Sequence, residues 1–252
     1  MIRAYFTSLN CFLGQLSSYG ALIKISVSKI SEETKMKNFL SIGTGPGMGY
    51  ETAARFAREG FRIILSARNV GKSEELARRL KDKGFSVECR SVDASSAESI
   101  ADLMSGVQKE FGGIDVIHYN AAAMRQNTID AQPAKSFNED LAVNIGGALA
   151  ATKAAAAEMI KRKNGTILLT GGGFALAPHP EFLSLSIGKA GIRALVMGLF
   201  EPLKQENVHI ATVTVSASVS PDSKEARDVG ELFWQLHQQP VDEWTFETNY
   251  SA

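Results

Sequence analysis

From Asn38 onward, short runs of Ile, Val and Leu alternate with longer segments whose apolar residues recur every three or four positions. The runs NFLSIG (38–43), RIILSA (62–67), SVECRSV (86–92), DVIHYN (115–120), TILLTG (166–171) and HIATVTVS (209–216) predict strands. The spacing between them predicts helices over 48–59, 72–83, 97–110, 136–162 and 184–206. Strands this apolar must be covered on both faces, and a helix after each supplies the cover, so the pattern predicts a doubly wound α/β parallel sheet. No Pro- or Ser-rich linker divides residues 36–252, which read as one domain. Past residue 217 the chain predicts one amphipathic helix with Leu232, Phe233 and Leu236 on one side, then a Trp-containing tail, with His237 at the surface.

Residues 1–35 break the pattern. They carry Arg3, Lys24 and Lys29 with no acid before Glu32 and many serines, as an organellar import segment does. They read equally as an upstream extension of a start at Met36, and are expected to pack poorly. The rest of the composition excludes more than it identifies. A hydrophobic share of 44% over 252 residues supports a substantial core. Lys plus Arg and Asp plus Glu balance at 27 each, which leaves no field to draw the chain to nucleic acid or anionic lipid. Charged residues or glycines interrupt every apolar stretch, so no membrane span is expected. Cys11 and Cys89 have no metal-ligand or disulfide spacing, which points to plain thiols in a reducing compartment, the cytoplasm, and to no metal site. The partner that remains is a small-molecule substrate.

In a doubly wound sheet the ligand lies at the carboxyl ends of the strands. After the first strand, GTGPGMG places Gly43, Gly47 and Gly49, with Met48, at the mouth of a helix, where a bare backbone can approach a pyrophosphate. Arg68 ends the second strand: an acid there would bond the ribose of NAD(H), whereas an arginine suits the 2′-phosphate of NADP(H). It reads alternatively as a solvated helix-start residue. Asp93, followed by Ala94, is placed to accept from an adenine or to cap the next helix, with Ser95 an equal candidate for the cap. Asn120, Ala121 and Ala122 form a small-residue shelf or a plain turn. In LSLSIGKAG, Lys189 is a lone cation with no acid within four residues.

The ordered series of G-x3-G-x-G at 43–49, Asp93, the NAA of 120–122, VNIGG around Asn144, and TILLTGG followed by GKAGIRAL resembles the short-chain dehydrogenase/reductase family over about residues 37–220. The resemblance implies a Rossmann-type fold, a nicotinamide dinucleotide across the strand ends, and hydride transfer to or from a small carbonyl, alcohol or enone. It implies that Lys189 holds the nicotinamide ribose and that Asn144 kinks its helix and holds a relay water. It also implies a tyrosine four residues before the lysine and a serine at the end of the fifth strand, where this chain has Leu185 and Gly171 or Gly172. Some relatives place the tyrosine seven residues before the lysine, which here is Phe182, and the usual Pro-Gly pair after the sixth strand is Ala217 and Ser218. His179 is a candidate acid on the loop that borders the substrate. Ser184 and Ser186 should point away from position 185, and Tyr119 should face the other side of the sheet. Two readings stay open: a reductase whose proton comes from a non-standard donor, and an inactive nucleotide-binding homologue that senses or scaffolds. A homodimer or homotetramer would form through the helices at 136–162 and 184–206.

Overall fold

The computed structural model describes residues 36–251. The expectation for residues 1–35 lies outside them. Seven strands form one sheet: β1 (Asn38–Ile42), β2 (Arg62–Ala67), β3 (Val87–Ser91), β4 (Val116–Tyr119), β5 (Gly165–Thr170), β6 (Val208–Val215) and β7 (Glu247–Tyr250). Their order is β3-β2-β1-β4-β5-β6-β7, and every neighbouring pair is parallel. The chain crosses over between β3 and β4, so the ends of β1 and β4 lie side by side at the switch point where such sheets take ligands.

Helices cover both faces, as expected. Helices α1 (Met48–Arg58), α2 (Val70–Lys81) and α7 (Lys224–Gln238) close one; α3 (Ala97–Phe111), α5 (Gly147–Arg162) and α6 (Leu183–Gln205) close the other. The period-2 alternation sorts the strand residues between two cores. Phe39, Ile63, Leu65, Val116 and Leu168 join Phe56 and Phe233 on the first face, while Leu40, Ile42, Ile64, Ile117 and Leu169 join Ile100, Ala151 and Val196 on the second. Leu232 is partly buried against the same core as Phe233 and Leu236, so the predicted apolar side of α7 is the side that packs.

Several expectations need correction. The helix predicted over 136–162 is three pieces: α4 (Ala134–Leu141), a π-helical turn (Ala142–Gly146) and α5. A π turn replaces i→i−4 bonds by i→i−5 bonds within a continuing helix, a change of backbone partner that no residue type in this stretch announces. His237 is not a surface residue: it is mostly buried against Phe56, Phe61 and Trp234, and its Nδ1 lies 2.9 Å from Thr166 Oγ1. That burial lowers its pKa to about 4. The Trp-containing tail ends in a strand, β7, whose ETNY has no apolar run because it sits at the sheet edge. Trp244 stacks on His209 just before it, with ring centroids 4.6 Å apart. Finally, α6 is long and apolar enough by composition to cross a membrane, contrary to expectation. Its apolarity has an ordinary use here, because Leu185, Ile192, Val196 and Leu203 are buried in the fold.

Phe233 is wholly buried and its ring centroid lies 4.6 Å from that of His118. Phe233→Ala should lower the unfolding free energy by about 3–5 kcal/mol, read from urea denaturation.

Candidate functional site

Residue Gly43, the first after β1, adopts φ +81°, a conformation that side-chain-bearing residues rarely take. A Cβ there would stand 2.4 Å from the Ala121 backbone, so the ends of β1 and β4 approach more closely than any side chain allows. The Gly43 and Thr44 amides donate to the Ser66 carbonyl at 2.8 and 3.1 Å, which ties the turn to β2 as well. Gly47 then precedes α1 with no side-chain cap; Tyr50 N donates to Gly45 O at 3.0 Å and Glu51 N to Gly47 O at 3.1 Å, which leaves the amides of Met48 and Gly49 as the first two of the helix. At Gly49, a Cβ would lie 3.0 Å from Asn120 Nδ2, so Asn120 occupies the space against the helix mouth, where Met48 is the first helical residue.

A cleft of about 200 Å³ opens beside this turn. Gly43, Arg68, Asp93, Ala94, Ala121 and Ala122 all line it, drawn from the ends of four strands. Thr44, Gly45, Ala67, Val92 and Val143 line it too. These five were not singled out from the sequence, although the signal was there: Thr44 and Gly45 lie inside the glycine-rich turn, and Ala67, Val92 and Val143 adjoin Arg68, Asp93 and Asn144. Arg68 is exposed at the rim, and no carboxylate lies within ion-pairing distance of it among the described residues. Asp93 Oδ1 accepts from Ser95 N at 2.9 Å and Ser95 Oγ at 2.7 Å; these bonds, with the Arg68 charge adding to them, hold its carboxyl below the ordinary range. Neither Asp93 nor Ser95 caps α3. The cap is Ser96, whose Oγ accepts from Ser99 N at 3.1 Å, because the helix starts at Ala97, one residue later than Ser95 and three later than Asp93 would need. Asn120 is not a plain turn residue: its Nδ2 donates to Gly43 O at 2.9 Å and its Oδ1 accepts from Thr170 Oγ1 at 3.0 Å.

The second group lies at the end of β5. Lys189 is buried, and its Nζ donates to Thr170 O at 2.6 Å. Among the described residues no acid pairs with it, and burial lowers its pKa to about 8. A Cβ on Gly172 would lie 3.3 Å from Lys189 Cγ, so position 172 faces the lysine, whereas one on Gly171 would face Thr212 and Thr214. Asn144 sits in the π turn, with Oδ1 accepting from Ala123 N at 2.7 Å and Nδ2 donating to Ala123 O at 3.1 Å. Its amide therefore clamps the segment after β4. Gly188 lies so close that a Cβ would stand 2.3 Å from Asn144 Cβ, which seats α6 against the π turn and brings Lys189 to the β5 end.

The remaining hydroxyls are committed elsewhere. Leu185 is buried one helical turn before Lys189. Ser184 Oγ donates to the buried Asp140 carboxylate at 3.0 Å, and Ser186 Oγ donates to Phe182 O at 2.9 Å, so both point away as expected. Tyr119 turns its phenol to Val143 O at 2.5 Å, in the core opposite His118, and burial pushes its pKa well above the usual phenol value. His179 packs among Phe174 and Phe182, with Nδ1 accepting from Glu181 N at 3.2 Å. It hydrogen-bonds neither Lys189 nor Asn144.

A family model described as short chain dehydrogenase matches residues 37–228. An uncharacterized oxidoreductase of Thermotoga maritima is 26% identical over 172 residues, covering 68% of this chain and 67% of the relative. Another, of Staphylococcus saprophyticus, is 25% identical over 211 residues, 79% of this chain and 89% of its own. Among solved structures, a short-chain dehydrogenase from Rhodopseudomonas palustris superposes with a TM-score of 0.79 at 24% identity over 86% of this chain and 98% of the other. A metagenomic short-chain oxidoreductase in complex with NADP gives 0.78 at 21% identity over 87% and 100%. At these identities the two structures establish the fold.

Burial of Lys189 has a consequence for stability. Its pKa is near 8 folded and near 10.5 unfolded, so between these values the unfolded chain binds more protons and stability rises with pH. Relative to Lys189→Met, the wild type should gain up to about 3 kcal/mol across that window, measured by urea denaturation of both proteins at its two ends. A difference independent of pH would show that the lysine is not held as described.

Proposed function

The chain belongs to the short chain dehydrogenase family, and we propose that it binds a nicotinamide dinucleotide, NADP(H) in preference to NAD(H), and acts as an oxidoreductase on a small carbonyl, alcohol or enone. The observation that carries this reading is the convergence of Gly43, Arg68, Asp93, Ala94, Ala121 and Ala122 on one cleft beside an uncapped helix. The residues fit such a ligand. Gly43, Thr44 and Gly45 line the cleft, and nothing lies within 4 Å of where a Cβ on Gly45 would stand, so a pyrophosphate could approach the turn there and the N–H groups of Met48 and Gly49 would meet its charge. Arg68 stands uncommitted at the cleft rim, where a guanidinium pairs with a phosphate and repels nothing. Asp93 lines the same cleft with its carboxyl held below the ordinary range, and as a carboxylate it would accept from an adenine amine. When bound, the cofactor would supply the hydride.

The chain's own contribution to the chemistry is uneven. Lys189 would bond ribose hydroxyls, giving a ligand to a buried ammonium that otherwise has one carbonyl. Asn144 fixes the backbone of the Ala123 segment beside it. No side-chain acid stands at 172 or 185, since glycine and leucine carry no transferable proton. His179 is held within its own loop. Reduction of an enone suits this arrangement best, because the enolate left after hydride addition can take its proton from water. The same two vacancies favour a second reading, a nucleotide-binding homologue without turnover. Mixing the protein with NADPH and a panel of aldehydes, ketones and enones separates them: cofactor oxidation marks an enzyme, and binding without oxidation marks the second reading.

Self-association through α4, α5 and α6 belongs to the same proposal. Leu149, Ile187 and Met197 on these helices are each about half exposed, an apolar cost that a second copy would remove. Met197→Glu should shift the sedimenting species to monomer, with the fold retained by circular dichroism. For the cofactor, Arg68→Ala should raise the dissociation constant for NADPH at least about tenfold and leave that for NADH nearly unchanged. Equal effects on both, in titrations followed by NADPH and NADH fluorescence, would refute the preference for NADP(H).

A further inference from the structure

His118 is an unusual occupant of a central strand. It is wholly buried on β4 between Phe39 and Phe233, with ring centroids 6.1 and 4.6 Å away, and burial lowers its pKa to about 3. Its Nε2 lies 3.0 Å from Thr170 Oγ1, and its Nδ1 has no partner. Thr170 Oγ1 lies 3.0 Å from Asn120 Oδ1, and Asn120 Nδ2 lies 2.9 Å from Gly43 O.

Hydrogen-bond polarity fixes the direction of this chain from its far end. The Gly43 carbonyl can only accept, so it must receive the Asn120 NH2. That turns Asn120 Oδ1, also only an acceptor, toward Thr170, whose hydroxyl must spend its single proton there. The Thr170 oxygen then accepts, so His118 must carry its proton on Nε2 and leave Nδ1 bare. A bare acceptor without a partner costs less than a buried donor without one, which is why the ring tolerates this site only when neutral.

We propose that His118 and Thr170 are positioning residues for the dinucleotide turn: the one-directional chain His118 to Thr170 to Asn120 to Gly43 locks the Asn120 amide against both ends of that turn. This inference rests on the dinucleotide reading above and deepens it. Asn120 is bonded to Gly43 before the turn and packed on Gly49 after it, so a rotated amide would intrude where the backbone must stay open. Thr170 also connects the two halves of the site, because its side chain serves Asn120 while its carbonyl takes the Lys189 ammonium.

The test uses the full chain and fluorescence titration with NADPH and with 2′,5′-ADP. Thr170→Val keeps the shape and β-branching but removes the hydroxyl, leaving Asn120 Oδ1 without its donor; the dissociation constants for both ligands should rise about tenfold, because the defect lies at the phosphate end. Thr170→Ser restores the hydroxyl and should remain within about twofold of wild type. A folded Thr170→Val protein with wild-type affinity would overturn the proposal, whatever its loss of stability. Nitrogen chemical shifts of the wild-type His118 ring supply a readout that needs no variant. They should report the Nε2–H tautomer, unchanged from about pH 5 to about pH 8, and an Nδ1–H tautomer would overturn the direction of the chain. A wild type that binds neither ligand would instead refute the dinucleotide reading, while the tautomer would still judge the hydrogen-bond chain.

Discussion

The approach of the β1 end to the β4 end, with the backbones of Gly43 and Ala121 closer than a side chain permits, sets the geometry of everything around the cleft. It requires a positive φ at Gly43, which turns the chain sharply into α1 and leaves the helix mouth uncapped. It brings Ala121 against the turn, and Ala121 and Ala122 both line the cleft. It also leaves a gap between the turn and β5 that Asn120 and Thr170 fill with polar atoms. Asn120 is half-buried and Thr170 buried, so the Thr170 hydroxyl must be satisfied inside the protein, and the need propagates inward as far as His118.

A similar economy operates at the other end of the site. Gly188 lets α6 rest on Asn144, and Asn144 in turn accepts from Ala123 N and donates to Ala123 O. The π turn supplies the extra residue that aims Asn144 at the segment after β4 rather than along the helix. Lys189 follows one residue after Gly188 and so inherits its position from a contact between α6 and the π turn.

Much of this was legible in the sequence because two simple periods encode it. The Ile-, Val- and Leu-rich runs locate six strands, and a parallel sheet puts its ligand at their carboxyl ends, so Gly43, Arg68, Asp93 and Asn120 could be singled out by position alone. What stayed hidden depends on tertiary context. The polar ETNY becomes a strand only because β6 offers it an edge. The π turn is a change of backbone bonding partner that no residue type announces. Ser96 is one of three small polar residues in the stretch DASS, and which one caps α3 depends on where β3 releases the chain. His237 and His118 carry a polar residue's signature in sequence, yet aromatic neighbours cover most of the first and all of the second.

The balance of costs at Lys189 bears on what the site is for. A buried ammonium with one carbonyl partner and no counter-ion opposes folding, as its lowered pKa records. A methionine would fill the same volume without that penalty, so packing does not explain the lysine. A bound polyol such as a ribose would supply hydroxyl acceptors and convert the cost into binding selectivity. Leu185 and Gly172 show the opposite economy, since each is comfortable in its surroundings and neither offers a proton. The strain in this part of the fold is thus concentrated on the group that would hold a ligand and absent from the positions that would protonate one. That distribution is what a site built first for cofactor binding should look like, with any proton delivered by solvent.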